Sequence, residues 1–329
     1  MSEDMTRQTQ DMPVTTKARH QTALERLGTA TEAEGRGDAL PAIAMPMHMG
    51  LDGLLTGIEG DAGAQIVKTY HDGSLYPFGF AEASRATRHA GAAGLGPAVV
   101  AVQEETRSLI TMQFGAPWRM ASAKDFLDPA MLAALVDAKK DWHEAGFAAP
   151  ELSPAEEFEA LLARWRSRDA APLPVTIRMD DTGIAQWITR ILEALSRVTE
   201  APVPLHGENT LSNVLTDDQG NIRLLDFDRC VMGDAFRDLG ALAHEVCVDD
   251  DDRARLIAAY AGAPATASQM ARLKLWGLYD DALWAFWALI GETEADRRGP
   301  ELYKYAANRL VRFRLHLSVF DMARLLREV

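Results

Sequence analysis

The sequence predicts an α+β chain in two lobes, a small antiparallel sheet followed by a larger, mostly helical part. Three observations carry that expectation. Residues 65–70, 99–102 and 108–114 read as short strands set around one helix over 80–93. Gly115-Ala116-Pro117 then punctuates the chain directly after an apolar strand. Beyond it, apolar residues recur at helical spacing over long segments. The expected division is a tail with a helix over 1–39, a first lobe over 40–115 and a helical lobe over 116–329.

Taken in order, residues 1–14 read as a disordered tail, and 15–34 as a modest helix that Gly35 and Gly37 end. Residues 41–70 contain short apolar pieces broken by glycine, with the strand 65–70 entered from the turn-like Gly60-Asp61-Ala62-Gly63. The helix over 80–93 carries Glu82 near its start. In the second lobe, helices are expected over 129–146, 154–168 and 182–198, each with an apolar stripe. Further helices are expected over 234–247, 251–262, 267–290 and 299–327. Strands 214–216 and 222–225 flank a turn, Asp217-Asp218-Gln219-Gly220-Asn221.

Composition excludes several classes. The chain has 329 residues, 47% of them apolar, so it can bury a large core. A formal net charge of −14 argues against a nucleic-acid or anionic-membrane surface and suits a cationic small partner. With only Cys230 and Cys247, no disulfide framework or cysteine-rich metal site is expected. No apolar run approaches membrane-spanning length and no signal core opens the chain, so the expected location is cytoplasmic.

The chemistry concentrates in the run His206-Gly207-Glu208-Asn209-Thr210-Leu211-Ser212-Asn213-Val214-Leu215, followed by Leu224-Leu225-Asp226-Phe227-Asp228. Polar groups held against buried strands need partners. A divalent cation and a phosphate chain would supply them, which points to phosphoryl transfer. That reaction needs a cation clamp on the phosphates, carboxylate and amide oxygens for Mg²⁺, and a carboxylate facing the acceptor hydroxyl. Glu208 fits the last role, and Asn213 and Asp226 fit the metal.

These paired motifs resemble the aminoglycoside phosphotransferase and choline kinase family, which has a protein-kinase-like fold. Its usual pattern is His-Gly-Asp, three or four residues, then Asn, and after a hairpin an apolar pair and Asp-Phe/Trp-Asp/Glu. His206, Gly207, Asn213 and residues 224–228 match, and Gly233-Asp234-Ala235-Phe236-Arg237-Asp238-Leu239 resembles the segment whose aspartate steadies the catalytic loop. The resemblance implies ATP and Mg²⁺ as cofactors, Asn213 and Asp226 as metal ligands, and His206 and Asp238 as scaffolding. It implies that Lys68 contacts phosphate, that Glu82 holds Lys68 by an ion pair, and that Met112 and Phe114 belong to an adenine-receiving hinge. The acceptor would be a small alcohol such as choline, ethanolamine, an amino sugar or an aminoglycoside, with Asp228 and Glu245 as candidate acceptor residues. One departure stands out: Glu208 occupies the position where the family has aspartate. The extra methylene moves the oxygen by about 1 Å, a shift able to lower rate roughly a hundredfold. A nucleotide-binding pseudokinase acting by protein interaction is therefore the alternative, and a metal-dependent hydrolase built on Glu208 and Asp226 is a weaker one.

Other signals are blander. Gly50, Gly53 and Gly57 lack a phosphate-loop pattern. His244 with Glu245 and Cys247 invites a metal reading, but Ala241-Leu242-Ala243 favours an ordinary helix. Residues 249–252, all aspartate, read as a solvated helix start. Trp118, Trp276, Trp284 and Trp287 suit either a core or a cage for a quaternary ammonium.

Overall fold

A computed structural model describes residues 15–28, 37–40, 43–44, 48–60, 63–167, 171–293 and 300–329. The expected tail over 1–14 and the stop at Gly35 lie outside these residues.

The first lobe contains α1 (Thr16–Arg26), β1 (Gly37–Leu40), β2 (Ile43–Ala44), β3 (His48–Met49), β4 (Gly53–Gly60), β5 (Gly63–Tyr70), α2 (Phe80–Ala92), β6 (Val99–Gln103) and β7 (Ser108–Met112). Five strands form an antiparallel sheet in the order β1-β4-β5-β7-β6. Strand β4 was not expected. Its glycines hide the pattern, and Gly53 is needed because a Cβ there would meet the Thr69 carbonyl oxygen at 2.7 Å. Helix α1 stops sooner than expected, at Gly28 with φ +67°. It also packs on the sheet: His20 bonds Thr69 Oγ1 at 2.7 Å and Thr56 Oγ1 at 2.8 Å, and Arg19 donates to the Tyr70 carbonyl at 2.8 Å. Ala23 and Leu24 of α1 share a small core with Ile58, Val67 and Ile110.

The second lobe contains β8 (Arg119–Met120), α3 (Pro129–His143), α4 (Pro154–Arg166), α5 (Asp181–Leu195), β9 (Val203–Pro204), β10 (Val214–Thr216), β11 (Ile222–Leu224), β12 (Met232–Gly233), α6 (Ala235–Val246), α7 (Asp250–Ala261), α8 (Ala267–Thr293), α9 (Pro300–Val319) and α10 (Met322–Glu328). The expected single helix over 299–327 is two, because Asp321 caps α10 by accepting from the Arg324 amide at 3.0 Å. The aspartate run starts α7 through a capping box between Asp249 and Asp252. Helix α8 is buried on all sides from Leu275 to Gly291, as expected of a helix apolar all round. Glu157 of α4 is fully buried and joins Arg237 at 2.6 Å and Arg229 at 3.2 Å. That knot ties α4 and α6 to the segment following Asp226. No described helix is long and apolar enough to cross a membrane.

Candidate active site

A cleft of about 360 Å³ lies between the lobes. Leu55 and Ile66 line it from the sheet, Leu215 and Leu225 from the β10–β11 hairpin, and Met112 and Phe114 from the lobe connection. The amides of Met112 and Gln113 are bonded to the Ala98 and Ala64 carbonyls at 2.8 and 2.9 Å, so neither can donate to a base. Trp118 packs against Phe114 with ring centroids 5.4 Å apart.

Strand pairing builds the polar end of this cleft. In the β10–β11 hairpin Val214 faces Leu224 and Thr216 faces Ile222, and the Leu225 amide donates to the Asn213 carbonyl at 2.8 Å. Asn213 therefore sits beside the residue preceding Asp226. Asp226 itself has φ +66°, a left-handed conformation that aspartate adopts only at a cost and that cores of functional sites retain. Asn213 Nδ2 donates to Glu208 Oε2 at 3.1 Å. That contact engages the Asn213 side chain through Nδ2 and not through its oxygen Oδ1, and both side chains are buried.

Lys68 projects from β5 into three carboxylates: Asp52 at 2.6 Å, Asp226 at 2.6 Å and Asp228 at 2.7 Å. Burial opposes the ammonium charge, but Asp226, Asp228 and Asp52 outweigh it and hold the lysine well above its usual range. One ammonium among three acids leaves surplus negative charge. Burial and then the neighbouring Asp228 accordingly push Asp226 well above the ordinary carboxylate range, against the pull of Lys68. Tyr70 of the same strand donates to Asp228 at 2.6 Å.

The expected pair between Lys68 and Glu82 is not formed. Asp52, which sequence reading passed over, takes that place, while Glu82 stays in the first turn of α2, where an acid suits the helix dipole. Asp228 joins Lys68 and Tyr70, which places it at the same end as Asp226. Glu245 pairs with Arg312 at 3.6 Å across the α6–α9 contact and is not among the residues lining the cleft. The tryptophans are not one cage. Trp276 donates to Asp234 at 2.7 Å, Trp287 to the Ser74 carbonyl at 2.8 Å, and the Arg229 guanidinium lies 5.1 Å from the Trp284 ring centre.

A buried polar scaffold supports the segment. Asp238 accepts from the amides of His206 (2.7 Å) and Gly207 (3.1 Å), from Asn209 Nδ2 (2.9 Å) and from His143 Nε2 (3.1 Å). Burial opposes its charge, but His143 and Lys139 outweigh that and hold it far below the usual range. His206 lies between Lys139 Nζ at 2.9 Å from its Nδ1 and the Leu225 carbonyl at 2.8 Å from its Nε2. Burial, then the Lys139 charge, lower its pKa to about 3, so the ring is neutral. The lysine donates to Nδ1, and Nε2–H donates to the residue before Asp226. Lys139 is itself wholly buried and lowered to about 8 by that burial. Gly207 has φ +81°, and a Cβ there would lie 2.3 Å from the Arg229 carbonyl oxygen. The sequence offered a signal for Lys139 only in hindsight, as a charge at the apolar stripe of α3.

A family described as the phosphotransferase enzyme family matches residues 58–276. No curated protein matches the chain by sequence. Among solved structures, a choline/ethanolamine kinase family protein from Mesorhizobium loti superposes with TM-score 0.72 at 20% identity, over 94% of this chain and 98% of the other. The choline kinase LicA from Streptococcus pneumoniae gives 0.67 at 15% identity, over 86% and 95%. A macrolide 2′-phosphotransferase from Brachybacterium faecium gives 0.54 at 16% identity, over 88% and 96%. At these identities the structures establish the fold.

Proposed function

The chain belongs to the phosphotransferase enzyme family, and from that premise we propose that it moves the γ-phosphate of ATP to the hydroxyl of a small, amine-bearing alcohol. Choline, ethanolamine, amino sugars and aminoglycosides are the acceptor class. The observation that carries this reading is the meeting of Lys68, Asn213 and Asp226 at one end of an apolar cleft, with Glu208 buried behind them and bonded to Asn213. The apolar end takes the base, with the Phe114 amide as donor to its edge, since the Met112 and Gln113 amides are already engaged. Lys68 binds phosphate oxygens once ATP draws it from its carboxylates.

The oxygen-rich donor set fits Mg²⁺, and a dication would relieve the surplus negative charge of three acids around one ammonium. Asp226 and the side-chain oxygen Oδ1 of Asn213 would hold it, with Asp228 beside them. When bound, Mg²⁺ neutralises charge on the phosphate chain. Glu208 takes the acceptor proton as the acceptor oxygen bonds to phosphorus and the bond to the β-phosphate oxygen breaks, releasing ADP. Asn213 orients the Glu208 carboxylate through the 3.1 Å bond.

Thermal unfolding with ATP, with and without Mg²⁺, tests the nucleotide site without knowledge of the acceptor. The expected result is a rise in Tm with ATP that grows on adding Mg²⁺. No response from folded protein overturns the reading. A full response with no transfer to any acceptor assigns the chain to nucleotide-dependent protein interaction instead.

A further inference from the structure

A second cluster lies apart from the cleft, where α6, α8 and α9 meet. His244, Asp281 and His316 each offer a ligand atom there, all within 4.8 Å of one another. The His244 and Asp281 side chains are 3% and 0% exposed. The Nδ1 atoms of both histidines are buried without a hydrogen-bond partner. His244 Nδ1 is 3.3 Å from Asp281 Oδ2, but not aligned for a hydrogen bond. Buried polar atoms are seldom left so, and two imidazoles and a carboxylate with ligand atoms this close together suit a shared partner.

The surroundings select its chemistry. Arg312 reaches Asp281 Oδ1 at 2.6 Å and Oδ2 at 3.0 Å, and Arg309 reaches Oδ1 at 3.2 Å, so Oδ2 carries the fewer of these bonds. Asp280 and Glu245 face the same two arginines, which leaves three acids against two guanidiniums. A neutral imidazole carries one N–H and one lone pair, and it is the lone-pair nitrogen that binds a metal. Gly277 makes room for the His244 ring, since a Cβ there would meet Nε2 at 2.6 Å.

We propose that His244, Asp281 and His316 bind one borderline transition-metal ion of the zinc class, which pins α6 and α9 to the central helix α8. Two nitrogens and one carboxylate oxygen suit Zn²⁺ and not Mg²⁺. Ligand bonds of about 2.0–2.2 Å require the three atoms to draw slightly closer than they stand. Arg309 and Arg312 orient the carboxylate from behind, as outer partners do in such sites. The sequence hid the site because its three ligands are 37 and 35 positions apart along the chain, and the neighbouring Glu245 and Cys247 are not part of it.

The full chain without a histidine tag, stripped with chelator and dialysed against ZnCl₂, would be assayed for metal content and Tm. The expected result is about one zinc per chain and a higher Tm, with affinity reduced at least tenfold in both His316→Ala and His316→Gln. His316 is half-buried, and the two variants together separate ligand loss from a folding defect. Asp226→Asn, in the cleft, should leave zinc binding unchanged. Failure of the wild type to bind zinc overturns the proposal, as does equal binding by the His316 variants or loss of binding in Asp226→Asn.

Discussion

Replacing Asp238 by asparagine tests the buried scaffold with almost no change of shape. Oδ2 accepts from the His206 amide and His143 Nε2, and Oδ1 from the Gly207 amide and Asn209 Nδ2. An amide keeps one acceptor oxygen and turns an NH₂ toward two of the four donors. Leaving two buried donors unsatisfied costs about 1–3 kcal/mol each, so the expected loss is about 4 kcal/mol. At roughly 2 °C per kcal/mol for a chain of this size, the midpoint falls by about 8 °C. The sign of the pH dependence follows from the lowered pKa of Asp238. Its contribution is full above the unfolded value of about 3.9 and is lost as pH falls toward the folded one. The gap between wild type and Asp238→Asn should therefore narrow as pH drops below about 4. Thermal unfolding at pH 7 and across the acid range reads both effects. A midpoint change under about 2 °C at pH 7, or a gap that stays constant into acid, refutes the hydrogen-bond reasoning.

Other consequences can be checked alongside. Lys139 is lowered to about 8, so the folded state sheds its proton before the unfolded chain does. Stability of wild type relative to Lys139→Met should rise as pH goes from about 8 to 10, by about 3 kcal/mol at most, and urea midpoints across that range read it. Gly207→Ala forces a side chain into left-handed backbone against the Arg229 carbonyl, with an expected loss of about 3 kcal/mol by urea unfolding. Asp226→Asn should abolish Mg²⁺-dependent turnover while the Tm without ligand stays near wild type, because removing one of three crowded acids relieves repulsion. Retained turnover in that variant would exclude Asp226 as a metal ligand.

The small antiparallel sheet followed by a mostly helical part was legible because the apolar stripes of the helices are long. The β10–β11 hairpin was legible from its turn, and with it the approach of Asn213 to Asp226. Strand β4 was not, since Gly53, Gly57 and Gly60 erase the alternation that marks a strand, Gly53 because the Thr69 carbonyl leaves no room for a Cβ. The partner of Lys68 was misread for a different reason. Glu82 stands at a plausible distance in sequence, but only the register of β4 against β5, with Gly53 opposite Tyr70 and Leu55 opposite Lys68, brings Asp52 to the ammonium. Lys139 meets the loop residue His206, and His244, Asp281 and His316 come from three helices, contacts between distant segments that no local spacing records.

The most direct test is transfer of the terminal phosphate from Mg²⁺-ATP to a panel of amino alcohols and aminoglycosides, comparing wild type with Glu208→Gln. Wild type is predicted to phosphorylate at least one acceptor. Glu208→Gln should lose about a hundredfold or more of that rate, the scale of a general base, while keeping the ATP-induced rise in Tm. Undiminished transfer by Glu208→Gln, or nucleotide binding by wild type with no transfer to any acceptor, would contradict the role given to Glu208.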